Sequence, residues 1–323
     1  MSAALAERVK AEALRLGFVA CGITDLTPLP HAEALDAWLK AGYGGNMRYI
    51  NRQAKKRKNP QLADLDARRA VVVLDNYYYP DAEQENSKNA EVAATRTTPE
   101  IARYARGQDY HQVTLDRLEQ LASFLRSLGA QATRPYVDTG PLAERELAQR
   151  AGLGWIGKNT MLLRPGLGSW CFIGTVLTDL ELACDAPFST DHCGSCTRCL
   201  EACPTGAFVD VRVLDATRCI SYLTIEHKHA IPEELAPKLA GRAFGCDVCN
   251  EVCPWNERFA TPSAIEAFRP RGALEGAGPT HFDAMDEATF TAQFADTPLA
   301  RPGLARMRRN WRAALASLGW REE

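Results

Sequence analysis

The chain has 323 residues, 46% hydrophobic and 24% charged, as in an ordinary globular protein with room for about two cores. A formal net charge of −2 excludes a broadly basic nucleic-acid-coating protein, though not a local basic patch. No apolar run nears the roughly 20 residues that span a bilayer, and residues 1–8 lack a basic segment leading into an apolar one, so a soluble cytoplasmic protein is expected.

Apolar residues at helical spacing predict a helix over 5–16, closed by Gly17. Residues 18–23 read as a short buried strand, and 31–40 as a second helix ending at Gly42. Ala70-Val71-Val72-Val73-Leu74 is a strongly β-prone run, followed by Tyr77-Tyr78-Tyr79-Pro80. Residues 81–99 are polar and poor in large apolar groups, which reads as a surface loop. A helix is expected over 111–128, closed by Gly129, then a strand over 133–137. That strand delivers Asp138 into a turn before a helix over 141–150, with Pro141 in its first turn. Alternating helix and strand suit an α/β or α+β domain. From Cys184 to Pro254 the chain turns cysteine-rich and loop-rich; beyond lies a tail punctuated by Pro262, Pro270, Pro279 and Pro302, with a terminal helix over 306–318. The expected division is 1–180, 181–262 and 263–323.

Eight of the eleven cysteines lie between Cys193 and Cys253. In a chain with no export signal this crowding reads as metal binding, not as disulfides. Cys193-x2-Cys196-x2-Cys199-x3-Cys203-Pro204 is the run of two-cluster bacterial ferredoxins, whose fourth cysteine serves the other cluster. Cys246-x2-Cys249-x3-Cys253-Pro254 repeats it one cysteine short, and Cys219 supplies the missing member. Cys193, Cys196, Cys199 and Cys253 then hold one [4Fe–4S] cluster, and Cys203, Cys219, Cys246 and Cys249 the second. Cys21, Cys171 and Cys184 are left as packing residues. Two four-cysteine zinc sites are the alternative, which the triple C-x2-C-x2-C and the Cys-Pro endings disfavour.

Other motifs are weaker. Gly152-Leu-Gly154-Trp-Ile-Gly157-Lys158 matches both a dinucleotide fingerprint and most of a P-loop, yet it follows a helix instead of a strand, and Asn159 stands where a P-loop needs Ser or Thr. It reads as a glycine-rich turn bringing backbone close to something bulky. The basic runs at 55–58 and at Arg306, Arg308, Arg309 and Arg312 read as solvated faces, with phosphate contact as the alternative. By position alone Asp138 reads as a helix-capping carboxylate, and as a general acid in second place.

Several stretches together resemble the epoxyqueuosine reductase family: Tyr104-Ala-Arg-Gly-Gln-Asp109-Tyr110-His111, Val137-Asp138-Thr139-Gly140-Pro141, Ala151 through Asn159, both cysteine groups, and Cys219-Ile-Ser-Tyr-Leu-Thr224. The resemblance implies an α+β fold, with a nitroreductase-like, reductive-dehalogenase-like cobalamin-binding domain, a bacterial-ferredoxin-type two-cluster module and a short helical tail. It implies reduction of the epoxide of epoxyqueuosine at the tRNA wobble position to an alkene, using cobalamin and two [4Fe–4S] clusters. An external low-potential donor of the flavodoxin or ferredoxin type would supply electrons to a monomer. Asp138 becomes the proton donor, with a pKa raised by burial, displacing the capping reading. Tyr104, Lys158, Ser169, Ile173, Ser221 and Asp247 are expected to contact the cobalamin, and Arg57 the cobalamin or tRNA. Asp109, His111, His227 and Lys228 are expected to meet the substrate. A reductive dehalogenase acting on a small halide and a ferredoxin-type electron carrier are the competing readings.

Overall fold

Residues 69–76 carry apolar side chains on both faces of a strand, so the chain has to cover both. The computed structural model describes residues 2–81, 98–274 and 276–320. It places strand β2 (Arg69–Asn76) inside a four-stranded antiparallel sheet with β1 (Ala20–Asp25), β3 (Thr133–Val137) and β4 (Cys171–Thr178), in the order β1-β2-β4-β3. Val71 and Val73 meet helices α1 (Ser2–Arg15) and α2 (Tyr110–Ser127) on one face, through Val9, Ala13, Leu118, Leu121 and Leu125. Ala70, Val72 and Leu74 pack on the other face against Leu142, Leu147 and Ala148 of the segment around helix α3 (Glu144–Arg150). The period-2 switch between two cores is what a doubly covered strand requires. This is the expected α+β sandwich. Most of the expected 81–99 loop, residues 82–97, lies outside the described residues.

Local chemistry sets the element ends. Asp109 is the N-cap of α2, its Oδ1 accepting the His111 N–H at 3.0 Å, and Gly129 at φ 105° ends that helix in the left-handed region. The helix expected from residue 141 begins only at Glu144. Arg57 explains the delay: its guanidinium takes the carbonyl oxygens of Leu142 at 2.8 Å and Gly140 at 3.2 Å, which holds those residues in a turn.

The tail holds more structure than one helix. A helix over Glu287–Phe294 precedes α4 (Gly303–Ser317), because Phe290 and Phe294, four apart, enter a shared core with Phe282, Met307, Trp311 and Leu315. That core closes on Ile101 and Phe244, from a short parallel pair between Glu100–Ile101 and Arg242–Phe244. The arginine run on α4 is not a solvated face. Arg306 donates to the Ile225 carbonyl, Arg308 to that of Phe282 and Arg309 to those of Leu223 and His227. Arg306 and Arg309 thus tie the tail to the segment that follows Cys219, and Arg308 braces the tail internally. Among the described residues no helix is long and apolar enough to cross a membrane.

Candidate active site

The cysteines come together in the crossed arrangement. Cys193, Cys196, Cys199 and Cys253 line one cavity of about 170 Å³, with Lys158, Asn159, Trp155's neighbour Leu163 and Trp255 around it. The others form a second group: Cys219 feels Cys203, and both Cys246 and Cys249 feel Cys219. Four thiolates on one zinc ion would stand about 3.8 Å apart. Among the described residues no three His, Cys, Asp or Glu side chains converge on a single-ion site. Burial pushes the Cys246 thiol up to about 12, helped by its neighbour Cys219, so these thiolates need a cationic cluster to stay ionised. Donors are already aimed at sulfur: Trp155 Nε1 lies 3.4 Å from Cys193 Sγ, and the Ala207 N–H 3.3 Å from Cys203 Sγ.

The glycine-rich stretch is a hairpin, Trp155–Ile156 against Leu162–Leu163. A Cβ on Gly154 would meet the Leu163 carbonyl oxygen at 2.1 Å. Two side chains at the hairpin tip reach the cluster-binding backbone: Lys158 Nζ donates to the Gly194 carbonyl at 2.7 Å and Asn159 to that of Cys249 at 3.3 Å. Lys158 therefore lines the cluster cavity.

Asp138 follows β3 in the left-handed region, at φ 55°. Its Oδ2 accepts the Tyr110 hydroxyl at 2.7 Å and lies 3.3 Å from His111 Nε2, while His111 Nδ1 lies 2.7 Å from Asp109 Oδ1. Desolvation opposes the imidazolium, yet Asp109 and Asp138 outweigh it and raise His111 to about 9. Asp138 moves the opposite way from expectation. Partial desolvation disfavours its charge, but the bonds from His111 and Tyr110, with the charges of His111 and Arg301, carry it down to about 2. The pair is Asp138 carboxylate with His111 imidazolium, so the mobile proton sits on the histidine.

Asp138 lines two cavities, and its partner His111 lines a third. An inner one of about 230 Å³ is lined by Tyr104, Tyr110, Met161, Ser169, Phe172 and Ile173. An outer cleft of about 710 Å³ is rimmed by Tyr49, Arg57, Arg145, Arg212 and Arg301. A side cavity of about 480 Å³ runs over Asp109 and His111 toward Thr297 and Arg301. Glu144 lines the first two, and its Oε1 accepts the Asp138 N–H at 2.8 Å. Tyr104, Ser169, Ile173, Arg57, Asp109 and His111 are thus gathered around Asp138. Ser169 is held by Asn256, whose Oδ1 accepts the Ser169 N–H at 2.7 Å.

Lys158 and four other expected residues line none of these three cavities. Asp247 is buried and its Oδ2 accepts the Arg103 N–H at 2.7 Å; Ser221 lies against the Cys219 thiol. Both serve the cysteine module and line none of these three cavities. His227 Nε2 lies 2.9 Å from the Ala230 carbonyl oxygen, in an exposed turn that also carries Lys228. Sequence reasoning missed Tyr110, which stands between two residues it chose, and Glu144, six after Asp138. It also missed Arg301, for which the tail offers no local signal.

Residues 57–139 match the family model described as epoxyqueuosine reductase QueG, and residues 192–256 match that of the 4Fe-4S double cluster binding domain. An epoxyqueuosine reductase of Pseudomonas aeruginosa is 40% identical over 98% of this chain and 86% of its own length. That of Escherichia coli is 38% identical over 98% and 82%. A crystal structure of epoxyqueuosine reductase with an epoxyqueuosine-modified tRNA stem loop aligns at a TM-score of 0.85 and 30% identity, over 97% of this chain and 81% of that one. The Bacillus subtilis enzyme, captured with its catalytic aspartate loop swung out of the active site, aligns at 0.84 and 30%, over 97% and 82%.

Proposed function

The chain belongs to the epoxyqueuosine reductase family, and from that premise we propose how its own residues carry out the reduction. The family reaction is a reductive removal of the epoxide oxygen, and two [4Fe–4S] clusters in the cysteine module are its one-electron carriers. The single observation that carries the reading is the Asp109–His111–Asp138 chain, whose members between them line the three cavities.

Conversion of an epoxide to an alkene takes two electrons and two protons and releases water. Asp138 delivers the first proton to the epoxide oxygen, and His111 is its store. In an open, wet cleft the pair is ionic. Once substrate displaces water the charges lose their solvation, and the neutral pair, with the proton on Asp138, becomes competitive. Asp109 orients the ring and Tyr110 fixes the carboxylate.

The lining of the joined cavities suits cobalamin: the inner one has an apolar wall, and the outer one carries Arg57, Arg145, Arg212 and Arg301 on its rim. Tyr104, Ser169 and Ile173 would hold the group on the inner side, and Arg57 with Arg145 on the rim. When bound it supplies a strongly reducing metal centre that gathers single electrons into a pair. A flavodoxin- or ferredoxin-type donor loads the clusters of a monomer in the cytoplasm, and the modified anticodon stem loop of a tRNA enters from the cationic rim.

Replacement Asp138→Asn tests the reading. With iron content near eight per chain and cobalamin binding preserved, turnover of epoxyqueuosine-containing tRNA is expected to fall by at least about 10²-fold. Turnover within a few-fold of the unaltered protein would return Asp138 to a backbone role.

A further inference from the structure

The reaction needs two protons, and the Asp138–His111 pair stores one. We propose that Glu144 supplies the second, the proton that converts the departing hydroxide to water. The inference rests on the epoxide reduction described above. The electrons come singly from the two clusters; the first proton goes to the epoxide oxygen as one C–O bond opens, and the second to that same oxygen as the other breaks.

Geometry carries the assignment. Asp138 and Glu144 are the two carboxyl groups that line both the inner cavity and the outer cleft. Both stand on one turn, 138–144, whose Gly140 and Leu142 carbonyls are held by Arg57. The Asp138 N–H engages Glu144 Oε1 at 2.8 Å, and no hydrogen bond from the described residues falls on Oε2. The two acids have opposite surroundings. Asp138 receives a tyrosine hydroxyl and a charged imidazole, donors that stabilise a carboxylate. Glu144 receives one backbone N–H and faces the negative charge of Asp138. Burial, reinforced by that charge and opposed only weakly by Arg57 and Arg145, raises Glu144 to about 8, so it is mainly protonated at neutral pH. Adjacent carboxyls driven apart in this way divide acid and base duties between them.

The alternative is that Glu144 only anchors the Asp138 backbone. Three variants of the cluster-loaded, cobalamin-reconstituted chain separate the two, assayed with an epoxyqueuosine-bearing tRNA stem loop. Glu144→Gln keeps an Oε1 acceptor for the Asp138 N–H but holds no acidic proton. It is expected to keep iron content and KM and to lose about 10²-fold in kcat. Glu144→Asp, which keeps the acid, is expected to fall between it and the unaltered chain. Glu144→Ala is expected to regain turnover with added formate or acetate, in proportion to the undissociated acid. A glutamine variant with full kcat, or an alanine variant deaf to added acid, would overturn the proposal in favour of anchoring. An unaltered chain that forms no queuosine would instead sink the reaction itself.

Discussion

At the scale of the residue, the proton-bearing pair depends on a backbone exception at Asp138. A left-handed aspartate costs on the order of 1 kcal/mol, and Glu144 and Tyr110 offset that by bonding its N–H and its carboxylate. The charges that result make the protein pH-sensitive in a defined direction. His111 rises from 6.5 to about 9, so its contribution to stability is complete below about 6.5 and vanishes as pH climbs through 9. Glu144 rises from 4.5 to about 8, so its contribution is complete below about 4.5 and is lost as pH climbs from there through 8. Asp138, lowered from 3.8 to about 2, contributes above 3.8 and loses this only as pH falls through about 2. The melting temperature is therefore expected to decline between pH 7 and 9.5, and to decline less in His111→Asn. A variant with the same slope would mean that the imidazolium is not coupled to folding.

At the scale of the element, strand 133–137 and the helix after Asp109 were legible because each is decided by its own neighbours: a β-prone run, a cap and a terminal glycine. The helix before Arg150 was read three residues too long, because Pro141 favours a first turn while Arg57, more than eighty residues earlier, withdraws the carbonyls that turn would use. Arg57→Met is accordingly expected to loosen the 138–144 turn and cut turnover about tenfold, leaving iron content untouched. A drop in iron would show that the variant damages more than the turn. Gly168 makes the complementary case. It sits at φ 82°, and a Cβ there would meet Asn256 Oδ1 at 2.2 Å. Gly168→Ala is expected to cost about 2–4 kcal/mol, read as a lower melting temperature, because Asn256 also holds Ser169 and the Asn250 carbonyl in place.

At the scale of the whole molecule, the crossed cysteine groups make distant mutations converge. Cys253→Ala is expected to deplete the cluster of Cys193, Cys196 and Cys199, and Cys203→Ala that of Cys219, Cys246 and Cys249, each variant keeping about four irons. Iron lost from the sequence-local partner instead would refute the crossing. The tail has a comparable reach. Its Asp296 carbonyl accepts the Asp109 N–H at 2.7 Å, and Arg301 lines both clefts beside Asp138. Trp311→Ala removes a 2%-exposed ring from the core beneath that segment and should cost about 3–5 kcal/mol. Turnover is expected to weaken with stability, since the same core positions residues 296–301.

The sequence by itself determined the two-cluster cysteine module and the sandwich of helices on a sheet. Both are written in short spacings or in a continuous run, where sterics and thiolate geometry act between near neighbours, whereas position alone made Asp138 a cap. The protonation states were decided only by the tertiary structure. Tyr110 and His111 reach Asp138 across 28 and 27 residues, and a carboxyl's pKa answers to distance and burial, not to sequence. For that reason Asp138, expected to be raised, is instead drawn down by the bonds from His111 and Tyr110, while His111 is raised. Glu144, which carries no recognisable motif, is the carboxyl that is pushed up, to about 8. Arg301 likewise owes its place beside the cleft to the folding of the tail against the cysteine module.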